Sequence, residues 1–109
     1  MTEAPVYNDS IQFAKWLSAN LQNDHPAARR THEAAVDLVE HIHLALCGFE
    51  TPMEVESADR STARLRALLR LSRELGLISD GALLHGARLL EGIGRQLGGW
   101  QRKMQQATL

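Results

Sequence analysis

The sequence predicts an all-α protein, an up-down-up-down four-helix bundle. Three observations carry the bundle. Apolar residues recur at three- and four-residue spacing through most of the chain. No stretch shows the β-branched alternation of a strand. The breaks near Pro26 and Gly76 are short, which favours antiparallel neighbours. With 109 residues, 44% apolar and 23% charged, one domain can bury a core without a metal or a disulfide.

A flexible N-terminus is expected over residues 1–9. Asp9 or Ser10 is placed to cap a first helix over about 10–23, with Ile11, Ala14, Leu17 and Leu21 inward and Phe13 beside them. Pro26 suits the first turn of a second helix over about 26–50, capped by Asp24 or His25. Ala28, Thr31, Ala35, Leu38, Val39, Ile42, Ala45, Leu46 and Phe49 form its core stripe, within about 120° at 100° per residue. A second row, His32, Val36, His43 and Cys47, lies about 110° away on the same wheel and is half apolar. Two buried faces on one helix suit either a crowded monomer or a subunit interface.

ETPMEVES, residues 50–57, is acidic and carries Pro52, so it reads as the long loop. A third helix follows over about 58–75, with Leu65, Leu68, Leu69, Leu71 and Leu75 inward, and Gly76 ends it with a left-handed cap. Ser79 caps a fourth helix over about 80–105, which runs through Leu83, Ala87, Leu90, Ile93, Leu97, Trp100 and Met104.

That last helix contains LEGIGRQLGGW, residues 90–100. Four helix-interior glycines forfeit about 4 kcal/mol relative to alanine. Ala87, Gly94 and Gly98 lie close together on the wheel, and small residues four apart let another helix approach. Gly92 and Gly99 fall on a different side. Glycines on two faces suggest neighbours on both, one of them from another subunit; the other reading is local bending or fraying near the C-terminus.

The sequence carries no recognisable catalytic constellation. Glu40-x-x-His43 has the spacing of a di-iron carboxylate motif, but it lies off the core stripe and is not repeated on a second helix. His41 and His43 are about 200° apart, so they do not chelate one metal from within a helix; they read as a surface and an interface histidine. Ser79, Asp80 and His85 lack a nucleophile elbow, and the glycines follow no strand and precede no Gly-Lys-Ser/Thr. Cys47 reads as a buried thiol. The expectation is a non-enzyme with no metal and no cofactor.

The lone cysteine suits a reducing cytoplasm. MTEAPVYNDS lacks the features of a signal peptide, and LVEHIHLALCGF is broken by Glu40, His41 and His43, so a cytoplasmic protein with no membrane association is expected.

The net charge of −1 conceals two unlike halves. Residues 1–59 hold three basic residues against ten acidic ones, net −7; residues 60–109 hold nine against three, net +6. Such asymmetry marks a binding face or internal charge matching between packed helices. Arg66, Arg70 and Arg73 form a row opposite the leucines of the third helix, with Arg60 and Arg64 on another edge. Arg95, Arg102 and Lys103 add basic residues on the fourth. Arginine forks match phosphate geometry. No aromatic accompanies the Arg66/Arg70/Arg73 row, so any nucleic acid would be held by its backbone and shape.

LRALLRLSRELGLIS (65–79) followed by LLEGIGRQLGGWQRK (89–103) resembles the C-terminal signature of a small bacterial family. Its members are four-helix-bundle proteins encoded in 23S rRNA intervening sequences and the accessory variability determinants of diversity-generating retroelements. HPAARRTHEAAVDLVEHI (25–42) resembles the start of that family's second helix. The resemblance spans about residues 11–103. It implies a homopentamer, five bundles around a central opening, and non-enzymatic partnership with a reverse transcriptase and nucleic acid. Arg29, Arg30, Arg70, Arg73 and Arg95 match basic positions of the family pattern. The retroelement members are strongly basic, whereas this chain has a pI near 6.5.

The expected nucleic-acid set is therefore Arg29, Arg30, Arg66, Arg70, Arg73 and Arg95. The expected subunit interface comprises His32, Val36, His43, Cys47, Gly92, Gly94, Gly98 and Gly99. The expected function is a pentameric scaffold binding RNA or DNA, as a reverse-transcriptase or ribosome-associated accessory. The alternative is a protein-interaction scaffold with no nucleic-acid role, motivated by the acidic half and the missing aromatics.

Overall fold

The computed structural model describes residues 5–107, as four helices: α1 Pro5–Asn20, α2 Pro26–Leu46, α3 Thr51–Glu74 and α4 Asp80–Ala107. Each helix packs on the next and α1 also packs on α4, with no close backbone approach across the diagonals α1–α3 and α2–α4 among the described residues. The helices therefore stand at the corners of a square, consistent with up-down connectivity. Phe13, Leu17, Leu38, Ile42, Leu65, Leu69, Leu90, Ile93 and Leu97 are wholly buried along its axis.

Helix ends follow local chemistry. The His25 Nδ1 accepts from the Ala27 N–H at 3.0 Å and Pro26 occupies the first turn, so α2 starts where expected. It stops earlier than expected, because Gly48 (φ +85°) takes the left-handed conformation. The Phe49 N–H then reaches the Leu44 carbonyl and the Gly48 N–H the Ala45 carbonyl, both at 3.1 Å, a Schellman closure. Phe49 thus leaves the core stripe and is 64% exposed. Gly76 (φ +75°) closes α3 in the same way. The Ser79 Oγ accepts from the Ala82 N–H at 3.1 Å and caps α4.

Two expected helix starts are also wrong. Ser10 and Asp9 do not cap α1, which already runs from Pro5; Ser10 is buried and donates to the Tyr7 carbonyl at 2.7 Å. Of the supposed flexible terminus, Pro5–Asp9 is therefore helical, and residues 1–4 lie outside the described part. ETPMEVES is not a loop but the opening of α3. Proline is tolerated in a first turn and carboxylates there favour the helix dipole, so an acidic, proline-bearing stretch suits a helix start.

Starting α3 earlier brings Val55 into the core, where Ala58, Ser61 and Thr62 are buried with it, while Leu71 and Leu75, expected inward, are exposed. Thr31 and Thr62 return their buried hydroxyls to the carbonyls of Ala27 and Asp59, each at 2.6 Å. The wholly buried Ser72 Oγ has no partner among the described residues. Desolvating an unmatched hydroxyl costs about 1–3 kcal/mol. Ser72→Ala is accordingly expected to leave stability unchanged or raise it by about 1 kcal/mol in urea denaturation. A loss of that size would reveal a bond that Ser72 makes.

Candidate nucleic-acid and subunit interfaces

The six arginines expected to meet nucleic acid do not form one row. Arg29 and Arg30 are exposed in the first turns of α2, and Arg29 donates to the Asp24 carbonyl. Arg66 and Arg70 are exposed on α3. Arg30 borders a shallow depression with Leu68 and Leu71, which places the start of α2 beside the end of α3. One end of the bundle therefore gathers Arg29, Arg30 and Arg70.

Arg73 stands apart. Its guanidinium meets Glu74 at 2.7 Å and Asp80 at 3.3 Å, tying the end of α3 to the start of α4. Arg95 is also engaged, 2.9 Å from Glu91 on its own helix. Arg70 has only a loose approach to Glu74 at 3.7 Å. Arg30 and Arg66 have no carboxylate partner among the described residues.

The two halves of the chain hardly neutralise each other. Among the described residues two arginine–carboxylate pairs cross between the halves, Arg64 to Asp37 at 3.7 Å and Arg60 to Glu56 at 3.5 Å, both exposed. Glu74, Asp80 and Glu91, the acidic residues of the basic half, are each held by an arginine of that half. Internal charge matching thus accounts for little of the asymmetry.

The expected subunit-interface residues of α2 are open on the protomer. Val36 is 54% exposed, and His43 and Cys47 are exposed as well. The reading of Cys47 as a buried thiol is wrong: it is the C-cap of α2, with its Sγ 3.5 Å from His43 Nε2. His32 is half-buried, and its Nε2 donates to the Leu21 carbonyl at 2.7 Å, satisfying the frayed end of α1. His41, read as a surface histidine, is half-buried and donates from Nδ1 to Glu54 at 2.7 Å, joining α2 to α3. The His43 ring lies 5.8 Å from that of Tyr7.

The glycines divide differently from the expected two faces. A Cβ on Gly94 would lie 2.9 Å from the Arg66 guanidinium, so this glycine lets an arginine of α3 lie across α4. Gly92, Gly98 and Gly99 would meet only the tips of Arg95 or Arg102, at 3.5–4.0 Å. Within the protomer no helix presses on them. The glycine that permits close helix approach is Gly86, which sequence reading passed over. A Cβ on Gly86 would lie 2.7 Å from Trp16 Cη2 and 2.9 Å from Leu69 Cδ1. The available signal was its spacing, four residues before Leu90 on the inward stripe.

Among the described residues no group of three His, Cys, Asp or Glu side chains is arranged to hold a metal ion. Among the described residues no helix is long and apolar enough to cross a membrane. Chemically, the surface offers guanidinium groups to anions at one end and an apolar, carboxylate-edged surface along α1 and α2. No known family matches the chain, and no curated protein does.

Proposed function

We propose that this protein is a non-enzymatic homopentameric scaffold that binds the phosphate backbone of RNA or DNA, as a reverse-transcriptase or ribosome-associated accessory protein of the cytoplasm. The pentamer and the accessory role come from the family that the sequence resembles. The observation that carries the nucleic-acid reading is the set of exposed arginines: at one end of the bundle Arg30 lacks a carboxylate partner among the described residues and Arg70 has only a loose one, and farther along α3, beside Gly94, Arg66 also lacks one. Arg29, Arg30, Arg66 and Arg70 are the phosphate-contacting set. Arg73 and Arg95, held by carboxylates, contribute least.

Fluorescence anisotropy with a structured RNA and with duplex DNA tests this, at roughly 50 and 200 mM salt. Binding at micromolar concentration or tighter is expected, falling steeply over that range. Arg66→Ala and Arg70→Ala should each flatten the logarithmic salt slope by about one, whatever the sequence bound. Absence of binding at the lower salt would overturn the reading. It would favour a protein-interaction scaffold, for which the exposed apolar surface of α1 and α2 is the supporting observation.

A further inference from the structure

The outer surface of α2 carries more apolar area than a solvated helix face needs. Val36 and Leu44 are 54% and 38% exposed. With Val39, Ile11 and Ala14 they line two adjoining depressions of about 440 and 300 Å³ along the α1/α2 groove. Exposed Glu40 lines both depressions, with Lys15 of α1 in the smaller, and exposed Glu33 borders an adjoining one beside Val36; the two glutamates are seven residues and so about 10.5 Å apart along the helix.

The diagonal helix carries the complement. Arg88, Arg95 and Arg102 are exposed on α4, recur every seventh residue and share the same spacing of about 10.5 Å. Arg88 and Arg102 have no carboxylate partner among the described residues, and Arg95 pairs with exposed Glu91 of its own helix, from which docking would have to draw or share it. Gly92, Gly98 and Gly99 lie between them with open space above all but the arginine tips. Because α2 and α4 stand at opposite corners, their outer faces point away from each other. An acidic apolar surface on one side and a basic surface of equal period on the other are self-complementary between copies, not within one.

We propose that a second copy of this chain docks the arginine-bearing outer face of its α4 on the acidic apolar face of α2, head to tail. Val36 and Leu44 then lose water against the lowered glycine surface, and Glu33 and Glu40 meet two successive arginines of the Arg88/Arg95/Arg102 row. A joint between unlike faces propagates into a ring or a filament and does not close as a two-fold dimer. The inference rests on the homo-oligomeric reading above and supplies its joint.

Light scattering on the full chain and on two charge-reversed variants tests it. Glu33→Lys/Glu40→Lys and Arg88→Glu/Arg95→Glu change exposed residues, and circular dichroism confirms that each variant folds. The unaltered chain should scatter as an assembly, and each variant alone should fall to the protomer mass of 12.1 kDa. An equimolar mixture should again scatter above the protomer mass, as alternating open chains or even-membered rings, since one joint in it is native and the other charge-swapped, whereas a ring of five cannot alternate without one like-charged joint. Variants that keep the assembled mass, or a mixture that stays at the protomer mass, would overturn the head-to-tail joint while leaving homo-oligomerisation standing. A monomeric unaltered chain at low salt would remove both.

Discussion

Phe13→Ala is expected to lower the unfolding free energy by about 4 kcal/mol, against about 1 kcal/mol or less for Ile11→Ala. Periodicity alone ranks the two the other way, with Ile11 on the inward stripe and Phe13 beside it. In the structure Phe13 is wholly buried and its ring stands 5.7 Å from that of Trp16, while Ile11 lies half-buried at the rim of the α1/α2 groove. Truncation at the axis of the square loses the transfer free energy of the ring and leaves a cavity that four packed helices cannot close. A domain of this size holds about 5–15 kcal/mol in total, so the loss is a large fraction of it. Urea denaturation of both variants checks the ranking, provided the slope with denaturant is unchanged. Equal losses would place Phe13 nearer the surface.

Gly86→Leu is expected to cost about 3 kcal/mol, the upper range for overfilling a packed core. Even a single Cβ at this position would lie 2.7 Å from the Trp16 ring, which is itself braced by Phe13 and by His85 at 5.4 Å. A leucine also has to displace Leu69. Gly99→Ala is the contrast. Its Cβ would meet only the Arg102 tip at 3.8 Å, so the better helix propensity should raise protomer stability by about 0.5–1 kcal/mol. Thermal unfolding of the two variants separates a glycine required by packing from one that is not. A Gly86→Leu variant melting with the unaltered protein would mean that α1 can move off α4.

Much of the fold was legible because helical periodicity reports which side of a helix is buried. The His25 and Ser79 caps and the closure at Gly76 were readable because each depends on residues within a few positions of itself. The start of α3 was not. Glu50 through Ser57 has a composition that suits both a loop and the first turns of a helix, and burial of Val55 and Ala58 against the neighbouring helices distinguishes them. The same limit applies to the candidate site. Arg73 looks like Arg66 and Arg70 in sequence, yet the turn into α4 brings Asp80 within 3.3 Å of it and takes it out of the free set.

The sequence by itself determined the helical class, the number of helices and most of the inward stripes, since these follow from periods of three and four residues. It also determined that charge is divided between the halves, which is a matter of composition. Only the tertiary structure decided which charges remain unpaired, which glycine lies against another helix, and that the outer faces of α2 and α4 point in opposite directions. Those are relations between residues far apart in the chain. They depend on which corners of the square the helices occupy, and no local pattern encodes that.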